Sequence, residues 1–173
     1  MKKFLYIGIA LFAFIVGILG IYFKPLFIPV PLSELKGKLY LYKSREIKVK
    51  GFFTSTKFRS TKWEFMYGIQ ENADKCDEFG YCVSAAISLE LSEELEKKEY
   101  RLIQELAEKN YQYQLEKGET VEGNYGVEVE ITGQIEERET NFSGVDPFVI
   151  KVKEIKQTSP IKFIVIRQYN DKK

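Results

Sequence analysis

Lys57, Arg59 and Lys62 lie among four aromatic residues, Phe52, Phe53, Phe58 and Trp63. Cations interleaved with rings can hold an extended polyanion or a glycan, the cations meeting phosphates or carboxylates while the rings stack on bases or sugars. The bland reading is a solvated basic loop whose rings belong to the core. Alternation puts Trp63 on the face of Phe65 and Tyr67, which looks like core. A third reading has this loop meeting anionic lipid heads. The other reactive pair is Cys76 and Cys82, with five residues between them, Gly80 among these. In an oxidising compartment they can close a small disulfide loop; in a reducing one they stay free thiols. A zinc site is not expected, because two thiolates leave a tetrahedral shell half empty and the chain has no histidine.

Catalysis finds little support in the remaining side chains. There is no Gly-rich phosphate loop, no nucleophile elbow and no metal-ligand cluster. Carboxylate neighbours such as Glu93/Glu94 and Glu136/Glu137 fall on exposed helix or loop positions, where nothing makes them converge or shifts a pKa. The expectation is a protein that is not an enzyme and needs no cofactor. Charge is balanced, 26 Lys+Arg against 25 Asp+Glu. That argues against bulk electrostatic binding of nucleic acid, which needs a clear positive excess. Asn141-Phe142-Ser143 fits a glycosylation acceptor, a pattern common by chance.

What positions these residues begins with an apolar run. Phe4 to Phe23 is 20 residues without Asp, Glu, Lys, Arg, Asn, Gln or Pro. As a helix it spans roughly 30 Å, the thickness of a bilayer's hydrocarbon core. A cleaved signal peptide is the rival reading, but its apolar core is shorter and ends at a small-x-small site. Lys2 and Lys3 precede the run and Lys24 alone follows closely, so the N-terminus is expected in the cytoplasm and the rest outside it. Ala10, Ala13, Gly17 and Gly20 share one face of such a helix, where a second membrane helix could approach; small residues also gather there by chance. The expected layout is a cytoplasmic stub (1–3), a single membrane span (4–23), a proline-rich juxtamembrane linker with a short helical turn capped by Ser33 (24–43), an extracytoplasmic domain (44–169) and a disordered tail (170–173). Membrane lipid and a membrane or extracytoplasmic protein are the expected partners.

Within the domain the hydrophobic period is two, then 3.6, then two again. Ile47 and Val49 alternate with Glu46, Lys48 and Lys50, giving a strand over about 45–55. A second strand carries Trp63, Phe65, Tyr67 and Ile69; a third carries Tyr81, Val83, Ala85, Ile87 and Leu89. Short connections make all three antiparallel. Ser92 then caps a helix with Glu93 and Glu94 in its first turn, running to about residue 116. Its stripe is Leu95, Leu102, Ile103 and Leu106, and a kink is expected near Asn110, because Tyr111 and Tyr113 fit the stripe poorly. The helix is rich in Glu, which reads as a solvated surface. Alternation returns at Val127, Val129 and Ile131, and again at Phe148, Ile150 and Val152. Pro160 opens a last apolar run, Ile161 to Ile166, expected as a sixth strand covering an edge.

Three strands, a helix and two strands is an order that resembles the OB-fold, a five-stranded Greek-key barrel, over roughly residues 44–157. The fold class expected is therefore mainly β, a five-stranded OB-like barrel with one long helix between strands three and four. Ile47-Lys48-Val49-Lys50-Gly51 and Val129-Glu130-Ile131-Thr132-Gly133 are alike, and a glycine there suits the bend that closes a small barrel. The competing fold is another small α+β roll with a helix on an antiparallel sheet. Membrane-anchored OB domains include the haem chaperones of cytochrome c maturation, which are similar in anchor and barrel. Those hold haem through a His, or in some a Cys, with a Tyr four residues on. Here there is no His, and Cys76 has Gly80 at that offset, so haem binding does not carry over.

Overall fold

The structure is a computed structural model that describes residues 12, 14–17, 28–57, 65–73, 75–116, 121–138 and 147–168. Residues 12 and 14–17 of the apolar run are helical and exposed; Ala10, Ala13 and Gly20 lie outside the described residues. Among the described residues no helix is long and apolar enough to cross a membrane. Asn141 and the tail 170–173 also lie outside them.

The protein is mainly β. Five strands, β1 (Glu46–Lys57), β2 (Phe65–Asn72), β3 (Val83–Leu91), β4 (Val121–Glu137) and β5 (Phe148–Gln168), pair in the order β1-β2-β3-β5-β4. The sheet closes into a barrel because β1 also pairs with β4. Only β3 and β5 run parallel among the paired strands. Period-two alternation builds the interior: Ile47, Val49, Gly51, Phe53 and Ser55 of β1 are all buried, as are Val127, Val129, Ile131 and Ile135 of β4. Between the cations and carboxylates of the outer face, Lys48–Glu130 (3.3 Å), Lys50–Glu128 (3.1 Å) and Lys153–Glu46 pair across strands. These charges neutralise one another locally, each pair contributing about 0–1 kcal/mol.

Gly51 sits where β1 passes from its β4 partner to its β2 partner. A Cβ there would lie 2.7 Å from the Gln70 carbonyl oxygen and 2.9 Å from Leu32 Cδ1. Gly133 occupies the equivalent squeeze on β4, at a register shift, 2.7 Å from the Lys151 carbonyl oxygen. Both positions need the missing side chain because a neighbouring strand crosses too close.

Five expectations need correction. The segment read as a linker is part of the core. Val30 donates to the Lys48 carbonyl (2.8 Å), adding a parallel bridge beside β1. Then α1 (Leu32–Leu35) and a 3-10 turn (Leu39–Tyr42) bury Leu32, Leu35 and Leu39 almost completely. The prolines extend only the entry; Leu32 and Leu35 from the short helix and Leu39 from the 3-10 turn join the barrel's core cluster and plug it. Ser33 does not cap by its hydroxyl; its N–H donates to Glu71 Oε2 (2.7 Å).

The single helix is two, α2 (Glu93–Lys98) and α3 (Tyr100–Glu116), parted by a turn at Glu99. Ser92 caps the first, accepting from the Leu95 N–H (3.2 Å). No break occurs at Asn110: α3 is continuous and Asn110 faces the sheet. Finally, the run Ile161 to Ile166 is not a separate strand but the second half of β5. β5 runs unbroken through Pro160 because the register with β4 shifts there, and side chains replace the ladder. Thr158 Oγ1 donates to the Glu128 carbonyl (3.0 Å), and the Glu128 N–H donates to Ser159 Oγ (3.1 Å). A proline is tolerated at such a bulge.

Candidate functional site

Of the first hairpin's candidate residues, the structure describes Phe52, Phe53 and Lys57. Lys57 ends β1 opposite Phe65. Phe58, Arg59, Lys62 and Trp63 lie outside the described residues. Phe53 is fully buried and stacks on Tyr67, ring centroids 6.2 Å apart. Phe52 points outward, but the Lys162 ammonium sits 4.5 Å over its ring. The two flanking rings that are described are therefore engaged inside the protein.

Lys162 comes from the distal half of the β4–β5 ribbon, which covers the outward face of β1 and β2. β4 parts from β1 beyond Val127↔Phe53. The Asn110 carboxamide of α3 fills the parting: Nδ2 donates to the Ser55 carbonyl (2.9 Å) and the Tyr125 carbonyl (3.0 Å), and Oδ1 accepts from the Tyr125 N–H (2.5 Å). The freed ribbon then lays Asn124 against outward Gln70 (3.4 Å) and Gly126 against Thr54. Its other face meets α3 through Tyr125, Phe163 and Tyr113. It ends on the segment before β3, where the Cys82 N–H donates to the Ile166 carbonyl (2.8 Å).

That segment is braced by a disulfide and by a set of hydrogen bonds. Cys76 and Cys82 are joined by a disulfide. Asp77 Oδ1 accepts from the N–H groups of Phe79 (2.9 Å) and Tyr81 (2.8 Å), and the Asp77 N–H donates to the Tyr81 carbonyl (2.8 Å). Gly80 takes φ 84°, a left-handed conformation that the turn requires. Arg167 donates from Nε to the Phe79 carbonyl (3.3 Å), and its guanidinium lies 4.4 Å from the Tyr81 ring centroid. All this fixes a backbone whose tip side chain, Phe79, is 67% exposed. The cysteine pair and the Gly80 between them were visible in the sequence; the exposure of Phe79 was not.

An open groove of about 780 Å³ runs between α3 and the Pro160 bulge, lined by Lys98, Glu99, Arg101, Glu105 and Lys109 among others. Its charges are largely spent on each other, Lys98 with Glu99 (3.9 Å) and Lys109 with Glu105 (4.0 Å), and remain in water. The one strongly perturbed titration described is that of Tyr67. Burial, then the hydrogen bond to Glu96 Oε1 (2.9 Å) and the charge of that carboxylate, hold its phenol well above the usual range. It braces β2 against α2. Among the described residues no group of three His, Cys, Asp or Glu side chains could hold a metal ion.

Compared with known proteins, the chain matches no family, no curated protein and no solved structure.

Proposed function

We propose that the chain is a membrane-tethered, OB-like barrel outside the cytoplasm. It acts as a non-catalytic binding or assembly module that docks a partner protein through the disulfide loop 76–82. The strand order with a parallel β3–β5 pair and helices between β3 and β4 supports the OB-like reading. The disulfide supports an oxidising compartment. The observation that carries the reading is the braced loop. An exposed aromatic on a fixed backbone enters a partner's pocket with little ordering cost, which is how interface anchors work. The ribbon over β1 and β2 occupies the face on which OB domains hold single strands or glycans, so a polymer ligand at Lys57, Arg59, Lys62 and Trp63 is the weaker version.

The test is affinity purification of the full-length protein from detergent-solubilised membranes, wild type against Phe79→Ala. Partner recovery should fall at least about tenfold, the effect of losing one anchor side chain. The unfolding midpoint should not move. Equal recovery would overturn the assignment.

A second reading is a structural subunit recruited through the N-terminal helix. Phe14, Ile15 and Val16 are exposed, and a Cβ at Gly17 would meet nothing within 4 Å, leaving room for another helix. Gly17→Leu would then abolish co-purification that survives Phe79→Ala.

A further inference from the structure

The ten residues Lys36–Arg45 carry Lys36, Lys38, Lys43 and Arg45 and no carboxylate. All four cations are exposed. Between them the 3-10 turn sorts its side chains by period. Positions i and i+3 eclipse in such a turn. Leu39 and Tyr42 therefore face inward, one buried and one packed on the core. Tyr40 and Leu41 are left outward, 57% and 54% exposed. The backbone holds them there: Gly37 turns at φ 68°, the Leu41 N–H donates to the Lys38 carbonyl (3.0 Å), and the Ser44 N–H donates to the Ile135 carbonyl (2.8 Å). Lys43 is paired with Glu137 at 2.5 Å, and Lys36 Nζ donates to the Ser84 carbonyl (3.2 Å).

This patch lies where the chain enters the domain. Val30 pairs parallel with Val49, so residues 28 and 29 run beside the start of β1, the end that Arg45 adjoins. The apolar run ends at Phe23. Six residues separate it from Val30, a reach of at most about 25 Å. The exposed Ile28 lies on that path. A phenol and an aliphatic side chain ringed by lysines match a bilayer interface, with the apolar bodies at the acyl boundary and the ammonium groups among the phosphates.

We infer that Tyr40 and Leu41, with Lys36, Lys38, Lys43 and Arg45, form a docking surface for the anionic headgroups of the bilayer that holds the N-terminal run. The inference rests on the membrane-tethered reading. Docking orients the barrel on its tether and limits which sides of it face away from the lipid.

The full-length protein is reconstituted into phosphatidylcholine vesicles with and without about a third phosphatidylserine, matching the attraction of basic segments to anionic surfaces. An environment-sensitive fluorophore is placed at Leu41→Cys or, as a control, Ser88→Cys, with lipids carrying a quencher at headgroup depth. The label at 41 should be quenched several-fold more than that at 88, and more with phosphatidylserine. Lys36→Gln with Lys38→Gln should remove the phosphatidylserine dependence, and Tyr40→Ser should reduce quenching in both lipids. Equal quenching at 41 and 88 in protein that floats with the vesicles would overturn the docking surface while leaving the tether intact. Protein that fails to float would overturn both.

Discussion

Replacing Asn110 with alanine probes the point where the barrel wall opens. The side chain is 2% exposed and meets three backbone groups, the carbonyls of Ser55 and Tyr125 and the N–H of Tyr125. Each buried group left without a partner costs about 1–3 kcal/mol. The space vacated is polar and has three partners converging on it, enough to seat a water and recover part of that. Alanine is also the better helix former by a few tenths of a kcal/mol in α3. The net loss should be about 3 kcal/mol, read by urea unfolding of the full-length protein in detergent. Hydrogen exchange at the Tyr125 amide should accelerate more than at Val129. Asn110→Asp sharpens the test. One carboxylate oxygen still accepts from Tyr125, but the other faces two carbonyls. Burial and those dipoles raise the folded-state pKa of the new carboxyl above its unfolded value near 4. Stability is then fully present below that unfolded value and is lost as pH rises through the folded one, so the variant is weakest at neutral pH. A loss under about 1 kcal/mol for alanine, or an aspartate variant as stable as wild type at pH 7, would refute the role given to Asn110.

Leu35→Ala should cost about 2–5 kcal/mol, because Leu35 is a fully buried core residue and not part of a linker; a denaturation midpoint unchanged from wild type would contradict this. Gly51→Ala should cost about 1–3 kcal/mol by forcing a methyl group against the Gln70 carbonyl and Leu32, measured in the same way. Tyr67 titrates above its usual value of 10.0 in the folded state, so the stability it contributes is complete below that pH and lost as pH climbs further. Melting curves between pH 8 and about 11 should therefore fall more steeply for wild type than for Tyr67→Phe.

Strands β1 and β4 were legible because their inward residues are Ile, Val and Phe at strict alternation, and their glycines stand where strands cross closely. Ser92 was legible because a cap is a local event. The leucines at 32, 35 and 39 were hidden by their prolines, which mark irregular chain whether or not a helical turn begins inside them. Pro160 misled for a related reason: a local rule ends the strand, while hydroxyls at 158 and 159 supply the missing bonds. The kink expected near Asn110 rested on Tyr111 and Tyr113 lying off the stripe, and the partners that bury Asn110 could not be seen because they are 55 and 15 residues away. The candidate loop was half visible. Its cysteines and turn residues announce a bend, but which ring is left outside depends on Arg167 and Ile166, brought there by the far end of β5.

The bridge at Val30 has a mechanical consequence. Tension on the chain at Pro29 is carried first by one backbone hydrogen bond to Lys48, then by the leucines that plug the interior. The long β4–β5 ladder lies far along the load path and is strained last. A tug from the N-terminal side would thus uncork the barrel before tearing its wall, making the entry segment a weak link that yields early and can reseat.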